Sequence, residues 1–230
     1  MTATSAYPVS VDASLDPHLS RWLWLVKWIL IIPHVVVLIF LWIAFFFTSI
    51  VAFFAILFTA HYPRAIFEFN VGVLRWGWRV SYYAYSALGT DKYPPFTLAD
   101  DPDFPAHLTV PYPERLSRGL VLVKWWLLAL PHLIIVGILV GGGTAFASNS
   151  DTQNYSWTGS GLVGLLVFIA AIILAVTGSY PRGLYDLILG LDRWVLRVVA
   201  YTSLMTDSYP PFRLDLGGAD PATTLVAPTT

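Results

Sequence analysis

The chain has 230 residues, of which 57% are hydrophobic, 16% aromatic and only 12% charged, with a formal net charge of −1 and no cysteine. Soluble domains carry about 25% charged residues, so this composition, with a mean hydropathy of +0.66, points to a membrane protein. The missing surplus of Lys and Arg excludes a nucleic-acid binder, and the missing cysteine excludes disulfides, thiolate catalysis and Cys-ligated zinc or iron–sulfur sites.

The opening MTATSAYPVSVDASLDPHLSR lacks the basic and apolar regions of a signal peptide and is expected to be retained. From residue 19 onward the chain states each of its main segments twice. LSRWLWLVKWILIIPHVVV (19–37) returns as LSRGLVLVKWWLLALPHLII (116–135) with one extra residue between Lys and Pro. YPRAIFEFNVGVLRWGWRV (62–80) returns as YPRGLYDLILGLDRWVLRV (180–198), and YSALGTDKYPPFTL (85–98) as YTSLMTDSYPPFRL (201–214). The chain is therefore read as a tandem duplication, 1–107 and 108–217, with a tail, 218–230, poor in bulky side chains and expected to be disordered.

Trp22 to Ala60 is almost unbroken apolar sequence. At about 1.5 Å per residue it is nearly twice the roughly 30 Å bilayer core, so a hairpin over 22–60 is expected, with spans near 22–41 and 43–60. In the second repeat the polar stretch 141–161 separates spans near 119–140 and 161–179. None of the 13 Lys and Arg lies in 141–161 or 41–49, so both hairpin tips are expected outside and both termini in the cytoplasm. With an even number of spans, the repeats are parallel about an axis along the membrane normal.

Lys27 and Lys124 lie within two turns of their helix starts and can either snorkel to headgroups or face a polar cavity. Pro33 and Pro131 each predict a kink. Beside them, His34 and His132 either bond a carbonyl freed at the kink, contact a proton or ligand, or face each other as ligands of a haem or metal. Gly137 and Gly141 permit close helix approach.

After each YPR, charges recur at helical spacing: Arg64, Glu68, Arg75 and Arg79, then Arg182, Asp186, Arg193 and Arg197. They form one narrow face, predicting interfacial amphipathic helices over 64–88 and 182–204 whose arginines meet lipid headgroups or a partner protein. VSVD (9–12), FTL (96–98), LTV (108–110) and FRL (212–214) predict a small cytoplasmic sheet, entered through stiff YPPF connectors. No P-loop, zinc helix, nucleophile elbow or dinucleotide motif is present, so no catalytic residue, metal site or cofactor is assigned.

The paired LSRWLWLVKW…PH, YPR…VLRWGWRV and GTDKYPPF motifs resemble the membrane family catalogued as domain of unknown function 4389, common in actinobacteria and often present as two tandem copies. The resemblance covers about 7–217 and implies an integral plasma-membrane protein without an established activity. The resulting expectation is an all-α integral membrane protein with a small β element and four spans. A non-enzymatic accessory or scaffold subunit, binding membrane lipids, a partner membrane protein or its own copies, is the leading reading. A small transporter or lipid-handling protein built on the Pro-His helices is the alternative, and a haem-binding membrane subunit the third.

Overall fold

The computed structural model describes residues 7–141, 161–217 and 220. In chain order these form β1 (Ser10–Ala13), α1 (Leu23–Leu30), α2 (Ile32–Thr59), α3 (Arg64–Ala84), β2 (Ala106–Thr109), α4 (Arg118–Val123), a π-helical turn (Lys124–Leu128), α5 (Leu130–Val140), α6 (Leu162–Thr177) and α7 (Arg182–Thr202).

The expected turn at 41–43 is absent, because α2 runs unbroken from Ile32 to Thr59, about 42 Å at 1.5 Å per residue. Nothing between Trp42 and Phe47 offers a polar side chain, glycine or proline with which to leave the helix. The break falls instead at Ile31, between α1 and α2. Pro33 is the second residue of α2 and Pro131 the second of α5, where a missing N–H removes no intrahelical bond. Each proline stands just past a one-residue break, at Ile31 and Ala129, where the backbone stays right-handed with helical bonds on either side, the interruption a proline imposes on a helix. The residue added between Lys124 and Pro131 is absorbed by the π turn, the usual way an α-helix accommodates one insertion.

The two expected spans of the second repeat also join differently. A side chain on Gly161 would collide with the Leu139 carbonyl and the Gly141 nitrogen, so the end of α5 abuts the start of α6. Gly141 ends α5 in the left-handed region, at φ 104, which favours glycine. At the far end, Thr59 and Thr177 each donate to the carbonyl four residues back at 2.7 Å, just before left-handed Ala60 and Gly178. The α5–α6 pair is thus the counterpart of α2, with a segment inserted. The loop 142–160 itself lies outside the described residues.

By length and composition only α2, among the described helices, can cross a membrane; α5 and α6 are shorter. Four spans are not supported. The helical hairpin of the first repeat is formed by α2 and α3, antiparallel across the short connection 60–63: Trp76 meets His34, and Thr48 Oγ1 lies 2.7 Å from Asn70 Oδ1. The outer surface of α2 stays apolar and uncovered, with Phe40, Phe46, Phe47 and Phe58 all exposed. An exposed surface of this kind marks contact with lipid or another protein.

The helices expected in the interface are present at nearly the predicted bounds but occupy the interior. One side of α3 packs on α2, and the opposite side carries β2. The two strands pair antiparallel, Val11 opposite Leu108. These two residues are also repeat counterparts, so the twofold relation of the repeats passes between them. Arg75 Nε donates to the Leu108 carbonyl and Arg193 Nε to the Val11 carbonyl, both at 2.9 Å. Each repeat's arginine therefore holds the strand belonging to the other repeat.

The remaining predicted strands, 96–98 and 212–214, are irregular. Carbonyls in and just beyond them are taken by guanidinium groups: Arg79 bonds Thr97 and Ala99, and Arg193 bonds Asp215 and Gly217. Gly72 permits this close passage, since a Cβ there would strike Leu98. Of the tail expected to be disordered from 218, only residue 220 lies among the described residues. Asp220 is fully buried, accepts from the Val11 N–H at 2.9 Å and pairs with Arg197 at 2.8 Å.

Candidate functional site

Two constellations are built once in each repeat. In the first, Lys27 Nζ lies 2.9 Å from Asp91 and donates to the Thr90 carbonyl at 2.7 Å, while Asp91 also accepts the Ser20 N–H at 2.6 Å. In the second repeat Lys124 Nζ lies 2.8 Å from Asp207, which accepts the Ser117 N–H at 2.6 Å. Each ammonium also sits over a tyrosine ring, Tyr83 at 4.8 Å and Tyr201 at 5.0 Å. Both lysines are buried. Neither snorkels to headgroups nor faces an open path, because each is neutralised by the Thr-Asp that precedes YPPF. Just upstream, Leu88 and Leu204 hold the left-handed region at φ 53 and 65, a backbone strain matched in both repeats.

The second constellation surrounds the histidines. The ring of His34 stacks on Phe96 at 3.8 Å, is tilted against Tyr93 at 4.9 Å, and accepts at Nδ1 from Trp76 Nε1 at 3.0 Å. Around His132 the same partners recur, Phe212 stacked at 4.2 Å, Tyr209 at 4.9 Å and Trp194 edge-on at 5.7 Å. Tyr93 and Phe96 belong to one YPPF segment and Tyr209 and Phe212 to the other. YPPF is therefore a cover over the histidine, not a connector into the sheet. No ring contact joins His34 to His132 among the described residues, and a stacked phenyl occupies one face of each imidazole.

The arginine stripes separate into an exposed start and a buried end. Arg64 and Glu68 are exposed and 3.3 Å apart, Arg182 is exposed and Asp186 half-buried. Arg75 is half-buried, while Arg79, Arg193 and Arg197 are at most 2% exposed and bonded to backbone carbonyls, Asp215 and Asp220. The four deeper arginines thus fasten extended chain to α3 and α7 and do not face headgroups. Gly137 and Gly141 serve the end of α5, the Gly141 N–H donating to the Gly137 carbonyl at 3.0 Å.

Residues without a role in the sequence-based expectation include Asp91, Asp207, Trp76, Trp194, Phe96 and Phe212. The signal that could have found them is recurrence: in both repeats Thr-Asp stands two residues before YPPF, and Trp stands directly after the third charge of the stripe.

A mostly helical duplication with paired Lys–Asp and boxed-His constellations, and among the described helices one long and apolar enough to cross a membrane, defines a tandem-repeat protein. The family model described as Domain of unknown function (DUF4389) matches residues 21–97 and 156–213, one segment in each repeat and together more than half of the chain, and the protein belongs to that family. No curated protein and no solved structure matches it.

Proposed function

We propose that the protein is a non-enzymatic membrane scaffold or accessory subunit of the plasma membrane, embedded through α1, α2, α5 and α6, with the β1–β2 sheet and both termini on the cytoplasmic side. One observation carries this reading: large apolar side chains are exposed along α1, α2, α5 and α6, whereas the four deeper arginines of α3 and α7 are bonded internally. Its partners are then lipid acyl chains and the apolar helices of another membrane protein, recognised by surface shape. The scaffold role expected from arginine stripes is thereby moved from the arginines to α2.

Native mass spectrometry of the protein extracted gently from its own membrane tests this. A mass that includes a bound protein subunit, reduced to the bare chain by Phe46→Ser with Phe47→Ser on α2, is the expected result. A bare monomer before any substitution would overturn the scaffold reading.

A further inference from the structure

The repeats meet along two equivalent grooves that differ in what lines them. One lies between α2 and the end of α7, about 710 Å³ in volume, and is walled by Phe45, Phe46, Phe53 and Leu204. Its counterpart is a cavity of about 420 Å³ lined by α1, α3, the end of α5, α6 and α7. At the positions of Phe46 and Phe53 this cavity has Gly164 and Ala171, and where the first repeat has buried Leu74 it has Asp192. Two large side chains have become small and one leucine has become an acid, all at the same groove.

Packing does not account for these polar groups. Asp192 is 8% exposed, and its Oδ2 has no hydrogen-bond partner among the described residues. The Nε1 atoms of Trp24 and Trp78, two residues that line the same cavity, are buried and make no hydrogen bond among the described residues. Buried polar atoms are satisfied in the great majority of cases, and an unpartnered buried donor or acceptor costs about 1–3 kcal/mol. Asp192 is thus a buried acid on the cavity wall with one carboxylate oxygen left without a partner among the described residues. Among the described residues no lysine or arginine lines it, while Trp28, Tyr85 and Phe168 do. An acid among aromatic faces is complementary to an organic cation, attracted by both.

We infer that this cavity binds an amphipathic organic amine, its ammonium on Asp192 and its apolar body between the α6 side chains and the tryptophans. The assignment goes beyond the scaffold reading and does not depend on it. In the free protein burial raises the Asp192 carboxyl well above its ordinary range, against a smaller opposing pull from the nearby Ser86 hydroxyl. An ammonium beside the carboxyl favours its ionised form and so opposes that upward shift.

The test is saturable quenching of tryptophan fluorescence in detergent, at neutral pH, with 4-phenylbutylamine and its neutral analogue 4-phenylbutanol. The amine is expected to bind at least tenfold more tightly than the alcohol. Asp192→Asn should abolish that preference, and Gly164→Phe, which restores the side chain of the other groove, should abolish saturable binding of both. Should Asp192→Asn fail to fold, Asp192→Leu, which restores the residue of the first repeat, is read in its place. Equal affinity for the two probes, a preference that survives the Asp192 substitution, or saturable binding to Gly164→Phe would each overturn the proposal.

Discussion

Removing Asp91 should unmask how the buried lysines are tolerated. In Asp91→Ala the Lys27 ammonium, whose side chain is 2% exposed, keeps the Thr90 carbonyl at 2.7 Å and the Tyr83 ring but loses its counter-charge. The Ser20 N–H loses its acceptor as well. Breaking a buried pair by deleting one partner costs about 3–5 kcal/mol. The lower end applies here, because Asp91 is 22% exposed and water can enter the space its carboxylate leaves. About 3 kcal/mol corresponds to a fall in Tm of roughly 10 °C for a chain of this size. The double variant Lys27→Met with Asp91→Ala removes the stranded charge and should recover most of that loss. Thermal unfolding in detergent, monitored by intrinsic tryptophan fluorescence, measures all three proteins. A double variant no more stable than Asp91→Ala would refute the argument, since the cost would then lie in the lost backbone contact or in packing. Asp207→Ala should fall further than Asp91→Ala, because Asp207 is the only hydrogen-bond acceptor within reach of the Lys124 ammonium among the described residues.

Trp76→Phe removes the donor to His34 and should cost about 1 kcal/mol more than Trp194→Phe, whose Nε1 makes no hydrogen bond; equal Tm shifts would contradict this. Ending the chain after Gly217 removes Asp220 and leaves Arg193 and Arg197 short of a buried counter-charge, so Tm should fall by several degrees, whereas an inert tail would leave it unchanged. The Asp192 carboxyl is raised in the folded state above its ordinary 3.8 by burial, so its contribution to stability is complete below that pH and is lost as pH rises toward the folded-state value. Wild type should therefore lose up to about 1.4 kcal/mol per pH unit above about pH 4 relative to Asp192→Asn. Tyr85, Tyr180 and Tyr185 face this carboxyl, and Tm measured at pH 5 and pH 7 for both proteins reads the difference.

The duplication, the approximate bounds of α3 and α7, and the unusual standing of Lys27, His34 and their counterparts were legible because repetition is visible without knowing the fold. The side of the arginine stripe was not. Periodicity places Arg75 and Arg79 on one face but cannot tell whether that face meets water, headgroups or the carbonyls of chain arriving from 20 and 33 residues away. Hydropathy misled at Trp22–Ala60 for a related reason. The length suggested two crossings, while the sequence holds no residue that would turn α2 and places its only helix-starting proline at Pro33. Asp192 escaped notice because motif matching rewards agreement between repeats, and its signal is a disagreement, acid against Leu74.

The crossed attachment of the strands bears on how the chain can be divided. Val11 and Leu108 face each other as equivalent residues, and the arginine that secures each lies on the helix of the opposite half. A chain cut between residues 100 and 105 therefore yields two halves, each with an arginine lacking its strand and a strand lacking its arginine. Such halves are complete only as a pair. By the same geometry a protein carrying a single copy of the unit would satisfy these bonds as an isologous dimer, with its own strand on the symmetry axis and each protomer clasping the other.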